Sequence, residues 1–569
     1  SFREESGKSV AKAISWDSTS TDERLGWIFA NELSHLRWPD ATSQRVNWIQ
    51  AWDKAFANEI YQSIKSADAL ATLMADVAKD IREEIYTLLA LETNEGPLRK
   101  LLGEMRAKLR SDLDENSFSD MYAQTMVYGT LAARISHPES FRLDGVKPLT
   151  ADPGFTADLF GRFFSESDSV LDVDEFGLNK LVALLHKLNV EELISNLGAG
   201  DASDDPVIHF YELFLEKYDP ELRKELGTYY TPLPLVSWIV DAVNSVLVSE
   251  CKLPEGLATK RYTLDGSDHD FRILDPATGT GTFVLETIKA ARKHGVVPSI
   301  DAMEINMASY AVANLKADIA LHGASSQDLN FYLTNTLSAR LTEVSLFEED
   351  PISKESARAD QAKFDRTHNV VLGNPPYKRT GSDMGILSKP GLSRTHSVSG
   401  RANKSLFDDL LEPFQIFYNS GTPHQLYNLY SYFWRWSIYK VFEQNVSGPG
   451  VIGFVTSKSW LQGKDFIGLR QLASLEADEI FILDLGGDAI GTRKDENVFP
   501  IRTPVCITLM VRRAEPRHDV DAKVNYYRIP GTSRQEKLAY LRDVKFTEVP
   551  WKQVASAKSE SFIPEHEDS

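Results

Sequence analysis

The sequence predicts an α/β fold in which a doubly wound sheet follows an all-helical domain. Three observations support this prediction. Apolar residues recur with a helical period through the first two hundred residues, and from about residue 207 short apolar runs alternate with helical patterns. Two of these runs, ending near residues 274 and 372, lead into turns rich in glycine, proline or asparagine. Ligands bind at the carboxyl ends of strands in such sheets, so we expect a site there.

The composition is that of a globular protein, with 569 residues of which 42% are hydrophobic and 25% charged. A chain of this length is expected to form about two to four domains. It has no uninterrupted apolar run of about eighteen residues and no leader-like N-terminus, so we expect a cytoplasmic protein without a membrane partner. Cys251 and Cys506 are its only cysteines, which excludes a disulfide scaffold and a Cys-rich zinc site. We expect no bound metal.

The first domain is expected to be helical and to comprise residues 1–206. Apolar residues from Ile60 to Leu88 recur with a period of about 3.6 residues, and strand-like alternation is scarce. An acidic, glycine-rich stretch at 198–206 predicts a linker or exposed turn, which is why we place the boundary there.

The second domain, residues 207–515, contains the predicted sheet. Beyond it the sequence turns charged and irregular, so 516–569 is predicted to be a C-terminal extension or a linker towards a further, target-recognition domain. Because the sequence does not begin with methionine, we expect it to be part of a longer protein. The candidate strands are Ile273–Leu274, Ser299–Glu304, Leu329–Leu333, Val370–Leu372, Val451–Val455, Ile480–Leu485 and Val505–Val511.

Each of the first four strands is followed by residues suited to a ligand. After the first comes a glycine-rich turn that lets the backbone approach a ligand at a helix N-terminus, although its spacing differs from the dinucleotide-binding pattern. Glu304 ends the second strand, where a carboxylate can accept hydrogen bonds from both ribose hydroxyls of an adenosine ligand. Asn335 follows the third strand. The fourth is followed by Asn374, Pro375, Pro376 and Tyr377.

Simpler interpretations exist for these residues taken singly. Glu304 and Asn335 are also typical of helix caps and turns. The proline-rich stretch 374–377 is also typical of a polyproline-like turn after a strand.

The ordered series of motifs resembles the S-adenosylmethionine-dependent DNA adenine-N6 methyltransferases of the gamma class, whose fold is a Rossmann-like sheet. The segment 227–232 is similar to the extra cofactor motif that precedes the core in that class. The segments 118–129, 455–461 and 496–501 are similar to the coupler and methyltransferase regions of Type ISP and Type IIG restriction-modification enzymes.

The resemblance implies roles for individual residues. It implies that the side-chain oxygen of Asn374 and the carbonyl of Pro375 accept hydrogen bonds from the target amine, and that Tyr377 stacks on the target base. Tyr229 and Tyr230 could equally be core aromatics. The residues implied for S-adenosylmethionine binding are Thr228, Tyr229, Tyr230, Thr231, Pro232, Asp275, Ala277, Thr278, Gly279, Gly281, Thr282, Phe283, Glu304 and Asn335.

The net charge of −20 is unusual for a protein that binds nucleic acid, so any DNA contact must be local. A segment directly after Tyr377 carries six basic residues against the single acid Asp383. We predict that this segment contacts double-stranded DNA, the alternative being a solvated surface loop. The six residues are Lys378, Arg379, Lys389, Arg394, Arg401 and Lys404.

The function implied is a site-specific DNA adenine-N6 methyltransferase of a restriction-modification or phage-defence system. No P-loop motif and no recognisable nuclease motif is present, so a nuclease or ATPase would be a fused or separate partner. Two alternatives stay open: a non-catalytic scaffold that binds cofactor or DNA, and a protein or RNA N-methyltransferase. Cytosine-N4 is a further possible target, because related motifs serve both amines.

Overall fold

The fold is that of a computed structural model. It describes residues 2–5, 8–11, 66–110, 112–136, 178–189, 206–219, 231–321, 328–340, 351–377, 385–388, 405–418, 422–445, 448–488, 495–514, 521–554 and 561–564.

The described residues contain thirteen α-helices and thirteen strands. Two helices run on into π-helical segments, Gln361–Asp365 and Tyr439–Glu443. The α-helices are α1 (Ala67–Leu91), α2 (Pro97–Lys108), α3 (Glu115–Ser136), α4 (Leu178–Lys187), α5 (Pro206–Tyr218), α6 (Leu233–Ser249), α7 (Thr282–Arg292), α8 (Met307–Leu321), α9 (Pro351–Asp360), α10 (Asp408–Tyr418), α11 (Leu429–Ile438), α12 (Ile467–Glu476) and α13 (Arg534–Asp543). The strands are β1 (Phe2–Glu5), β2 (Lys8–Ala11), β3 (Arg261–Leu264), β4 (Ser267–Asp270), β5 (Ile273–Asp275), β6 (Ile300–Glu304), β7 (Leu329–Leu333), β8 (Val370–Gly373), β9 (Gly450–Ser457), β10 (Glu479–Asp484), β11 (Val505–Arg512), β12 (Lys523–Arg528) and β13 (Lys552–Gln553).

Helices α2 to α5 pack around α1, and a helical region is what the helical period predicts. The Ser66 side chain caps α1 by accepting a hydrogen bond from the Ala69 backbone N–H. The apolar stripe of α1, which includes Leu70, Met74 and Ile85, is buried against α3 and α5. The antiparallel pair of β1 and β2 was not predicted. Within the described residues the prediction of a helical region is otherwise confirmed.

The central sheet has the strand order β13-β12-β10-β11-β9-β8-β5-β6-β7. Strands β7, β6, β5, β8 and β9 run parallel, while β11 runs antiparallel to both of its neighbours. The strand order reverses beside β5, which creates the crevice where doubly wound sheets bind ligands. All seven candidate strands are present, and the predicted α/β class is confirmed.

The residues after 515 are more regular than expected. The strand β12 pairs in parallel with β10, and its buried Val524 and Tyr526 face the core. Helix α13 then starts at a capping box formed by Ser533 and Glu536. The expectation of irregular structure is wrong for this stretch. The strand was missed because the polar Lys523, Asn525 and Arg528 leave no continuous apolar run, although Asn525 is buried.

Helix α8 joins the helical region to the sheet. It lies between the sheet strands β6 and β7 and helix α3, and it is buried on nearly all sides. Its apolar residues and those of α1 belong to one continuous core. Helix α5, which begins at the C-terminal end of the predicted linker, packs against α1. The domain boundary near 206 stays a prediction, and residues 198–205 of that linker lie outside the described residues.

Two glycines in helices provide a direct test of this packing. A Cβ at Gly468 of α12 would lie 2.2 Å from the Leu410 carbonyl oxygen of α10, whereas a Cβ at Gly103 of α2 would meet nothing within 4 Å. We expect Gly468→Ala to lower the free energy of unfolding by about 1–3 kcal/mol, because backbone must move. Gly103→Ala is expected to raise it by about 0.5–1 kcal/mol. Urea unfolding measures both, and equal effects would contradict the helix contact.

Candidate active site

The four predicted strand-end motifs lie at one edge of the sheet. Strands β5, β6, β7 and β8 are parallel neighbours, so their carboxyl ends meet there. Asp275 and Glu304 are the last residues of β5 and β6. Asn374 directly follows β8, and Asn335 lies two residues after the end of β7. The expected meeting of these residues at one edge is therefore present.

Asp275 is buried beside Gly373 of strand β8, a residue without a side chain. Its Oδ1 accepts a hydrogen bond from the Ala277 backbone N–H at 3.2 Å, and a Cβ at Gly373 would lie 3.1 Å from that oxygen. Its Oδ2 is buried and has no hydrogen-bond partner among the described residues. Burial, with a smaller contribution from the charge of Glu304, raises the pKa of Asp275 from 3.8 to about 8.

Glu304 anchors the glycine-rich turn. Its Oε2 accepts a hydrogen bond from the Gly279 N–H at 2.7 Å, and its Oε1 accepts one from the Asn306 N–H, also at 2.7 Å. Gly279 and Gly281 have φ values of 56° and 83°, in the left-handed region that favours glycine. Desolvation raises the pKa of Glu304, and hydrogen bonds from the backbone of Asn306, Gly279 and Ile305 oppose this shift. Gly281 is the N-cap residue of α7.

The turn after β7 is tied to the turn after β5. The Thr336 hydroxyl donates to the Pro276 carbonyl at 2.6 Å, and the Asn335 Oδ1 accepts the Leu337 N–H at 3.0 Å. Asn335 therefore acts as a turn residue, as its simpler interpretation predicts. This role leaves Asn335 able to bind a ligand. Its Oδ1 has a second acceptor position, and its Nδ2 has no acceptor among the described residues.

Asn374 contacts the extra motif upstream. Its Nδ2 donates to the Thr231 Oγ1 at 3.0 Å, which leaves the amide oxygen of Asn374 as the atom available for a ligand. Pro232, the next residue, stands at the start of α6. The described end of the extra motif thus lies against the proline-rich turn. The other three predicted residues of that motif, Thr228, Tyr229 and Tyr230, lie outside the described residues.

Tyr377 is held in place by its hydroxyl. This group donates to the Val455 carbonyl of β9 at 3.1 Å, and the ring packs edge-on against Tyr430 of α11, with centroids 6.1 Å apart. Burial raises the pKa of the Tyr377 hydroxyl well above its usual range, so the group stays neutral. Pro375 is buried, whereas Pro376 is exposed.

The remaining residues predicted for cofactor and DNA binding are either held by local packing and hydrogen bonds or lie outside the described residues. The Phe283 side chain is buried in the apolar core, so only its backbone could reach a ligand. The Thr278 hydroxyl donates to the Asp275 carbonyl at 3.2 Å, and Thr282 opens α7. All six basic residues predicted for DNA binding lie outside the described residues. They are Lys378, Arg379, Lys389, Arg394, Arg401 and Lys404.

Three residues near the site were not predicted. Ile305, next to Glu304, is 39% exposed, and an apolar residue after a strand-end acid was a usable signal. Tyr430 packs on Tyr377, but only the fold brings α11 to the turn after β8. Lys363 lies beneath the Asn335 turn, and no sequence signal indicated it because buried lysines are rare.

Among the described residues, no group of three or more histidine, cysteine, aspartate or glutamate side chains could hold a metal ion. A search of the same part of the chain finds no helix long and apolar enough to cross a membrane.

Comparison with known proteins identifies the domain. Residues 202–403 match the family model described as N-6 DNA Methylase, so this part of the chain is a domain of that type, and the resemblance predicted from the motifs is confirmed.

Solved structures show the same fold over most of the chain. The Type ISP restriction-modification enzyme LlaBIII bound to DNA matches with a TM-score of 0.64 at 20% identity, over 92% of this chain and 34% of that one. A nuclease-deletion mutant of the Type ISP enzyme LlaGI with a DNA substrate mimic gives 0.63 at 20% identity, over 90% and 40%. The DrdV–DNA complex gives 0.60 at 20% identity, over 87% and 46%. The chain thus spans less than half the length of each of these proteins.

The raised pKa of Asp275 predicts how stability depends on pH. The folded state holds this proton more tightly than the unfolded state, in which the pKa is near 3.8. The stabilisation from the protonated carboxyl is therefore complete below about pH 4 and is lost as the pH rises towards about 8. Asp275→Asn keeps the shape and cannot ionise, so its unfolding free energy should fall less between pH 5.5 and pH 8.5. Urea unfolding at both pH values measures this, and identical slopes would contradict it.

Proposed function

We propose that this chain transfers a methyl group from S-adenosylmethionine to the exocyclic N6 of adenine in DNA. The observation that carries the proposal is the convergence of Asp275, Glu304 and Asn374 at one sheet edge, within a domain of the N-6 DNA methylase type. A dinucleotide-binding enzyme would share the sheet. It would not need an asparagine followed by two prolines and a tyrosine beside the cofactor.

The acids at this edge fit a cationic cofactor. Neither Asp275 nor Glu304 has a basic side chain as partner among the described residues, and the Asp275 Oδ2 is a buried acceptor without a donor. An ammonium group would satisfy that oxygen and favour its ionised form. A Cβ at Gly279 would meet nothing within 4 Å, so the turn is open on that side. S-adenosylmethionine supplies the methyl group on a positively charged sulfur.

In this proposal Glu304 accepts the ribose hydroxyls. Each of its oxygens already accepts one backbone N–H and keeps further acceptor capacity. Asn335 lies at the end of the neighbouring strand and contacts the adenine ring, while the exposed side chain of Ile305 covers one of its faces. Thr231 and Pro232, at the start of α6, lie on the methionine side.

Asn374 makes the target amine nucleophilic. The lone pair of an exocyclic adenine nitrogen is delocalised into the ring, so it must be localised before it can attack. The Asn374 Oδ1 and the Pro375 carbonyl accept hydrogen bonds from the two N6 hydrogens as positive charge develops on nitrogen. Thr231 supports this step, since it binds the Asn374 Nδ2 and so fixes which end of the amide faces the target.

Tyr377 provides the surface for the target base, which must leave the duplex before its N6 is accessible. The hydroxyl contact with the Val455 carbonyl and the packing of Tyr430 hold the ring rigid, so little entropy is lost when a base stacks on it. The six basic residues between 378 and 404 are proposed to contact the DNA backbone.

The proposed setting is a restriction-modification or phage-defence system in the cytoplasm. The Type ISP enzymes that share the fold are described as restriction-modification enzymes, and all three of the matched structures reported above contain DNA or a DNA mimic. Sequence recognition and any cleavage or ATP-driven step are proposed to reside in further domains or partners.

The decisive experiment uses DNA from a host without methylation as a mixed-sequence substrate. The chain is incubated with labelled S-adenosylmethionine, the DNA is digested, and the nucleosides are separated by mass spectrometry. Label in N6-methyladenine supports the proposal. Label in N4-methylcytosine would contradict the adenine target, and cofactor binding without transfer would favour the scaffold.

Asn374→Ala should strongly reduce transfer while leaving cofactor binding intact. Removing one acceptor of the developing charge is expected to lower kcat by about 10²–10³-fold or more. Asn314→Ala is the matched control, because the Asn314 amide donates to the Tyr310 carbonyl of its own helix. Thr231→Val should give an intermediate loss of kcat, since it frees the Asn374 amide to rotate. Full activity of Asn374→Ala would contradict the mechanism.

A further inference from the structure

A buried lysine lies directly behind the turn that carries Asn335. Lys363 is 1% exposed and belongs to the π-helical segment Gln361–Asp365 that continues α9. Its Nζ lies 2.8 Å from the Ser338 Oγ and 3.3 Å from the Thr334 Oγ1, both in the turn after β7. The same Nζ lies 3.5 Å from the Asn335 carbonyl oxygen. One ammonium group therefore contacts three residues of this turn.

The lysine is itself fixed from two sides. Asp360 pairs with its Nζ at 3.0 Å within the same helix. From the other side, the Nζ of buried Lys440 donates to the carbonyls of Ala362 and Lys363 at 3.2 and 2.9 Å. Lys440 belongs to the second π-helical segment, Tyr439–Glu443. Lys440 therefore ties the two π-helical segments together through backbone carbonyls of the first.

Packing alone does not account for a lysine at this position. Burial lowers the pKa of Lys363, and an apolar side chain of similar length would fill the space without a desolvation cost. The ammonium instead fixes the turn, because it donates hydrogen bonds to the Ser338 and Thr334 hydroxyls on either side of Asn335. Segments of irregular helix of this kind are frequent at functional sites.

We propose that Lys363 is a positioning residue of the cofactor site, which holds the turn 334–338 so that Asn335 can discriminate the adenine ring of the cofactor. This rests on the proposed function. Lys363 touches neither cofactor nor target base in this account, and it acts through the placement of Asn335 alone. Its removal therefore affects recognition of the adenine ring more than the transfer step at Asn374.

The test compares two ligands by isothermal titration: S-adenosylhomocysteine and its inosine analogue, in which an oxygen replaces the adenine amino group. The native chain should prefer the adenine form. Lys363→Met should weaken S-adenosylhomocysteine binding by roughly tenfold, as expected for losing hydrogen bonds to a charged group. It should also reduce the preference for adenine, while kcat at saturating S-adenosylmethionine changes by less than about twofold, because transition-state contacts are untouched.

Lys537→Met is the matched control. Lys537 is another buried lysine and belongs to α13. It pairs with Asp495 and donates to the Glu496 carbonyl. Losing it should lower the melting temperature without changing the affinity or the preference for adenine. A general loss of stability would affect both variants alike, whereas a positioning role separates them.

Ser338→Ala covers the case in which Lys363→Met does not fold. It removes the nearest acceptor of the Lys363 ammonium, together with the hydrogen bond that the Ser338 hydroxyl donates to the Asn335 carbonyl, and it leaves the lysine in place. The preference for adenine should therefore fall by about two- to threefold. A folded variant with native affinity and native preference would overturn the inference. An equal loss of preference in Lys537→Met would overturn it too. If the native chain binds neither ligand, the proposed function fails and this inference fails with it.

Discussion

The site depends on the close approach of two parallel strand ends. Strand β5 pairs with β8 so that Ile273 faces Val370 and Leu274 faces Val371, which brings Asp275 beside Gly373. A Cβ at Gly373 would lie 3.1 Å from the Asp275 carboxylate, tighter than ordinary contact. The absence of that side chain lets the two turns touch. The turn that carries Asp275 and the turn that carries Asn374 can therefore serve one reaction.

The remaining contacts at this edge connect its turns to one another. The Thr336 hydroxyl binds the Pro276 carbonyl, and the Glu304 carboxylate binds the Gly279 N–H. Two acids are buried or half-buried here without a basic partner among the described residues, which is unfavourable for stability in the free protein. The continuous core that joins α8 to the sheet and to α3 offsets this cost. A cationic ligand would relieve it.

The sequence predicted the sheet well because its strands are buried on both faces and appear as short apolar runs between turn residues. It predicted the strand-end motifs for the same reason: each follows such a run. It did not predict β12, in which polar residues such as the buried Asn525 interrupt the apolar run, nor β1 and β2. Lys363 and Tyr430 were also missed, because each reaches the site from an element distant in sequence, and only the tertiary packing of α9 and α11 brings them there. Asn335 was predicted in both of its possible roles, and its turn hydrogen bond is now visible.

Isothermal titration of the native chain with S-adenosylmethionine and with its demethylated product, alongside Asp275→Ala, shows directly whether this sheet edge binds the cofactor. The native chain should bind both ligands and the variant should lose most of this affinity, because the buried carboxylate beside Gly373 is the acceptor for the cationic end of the ligand. Absence of binding by the native chain, or equal binding by the variant, would contradict the assignment of this sheet edge as the cofactor site.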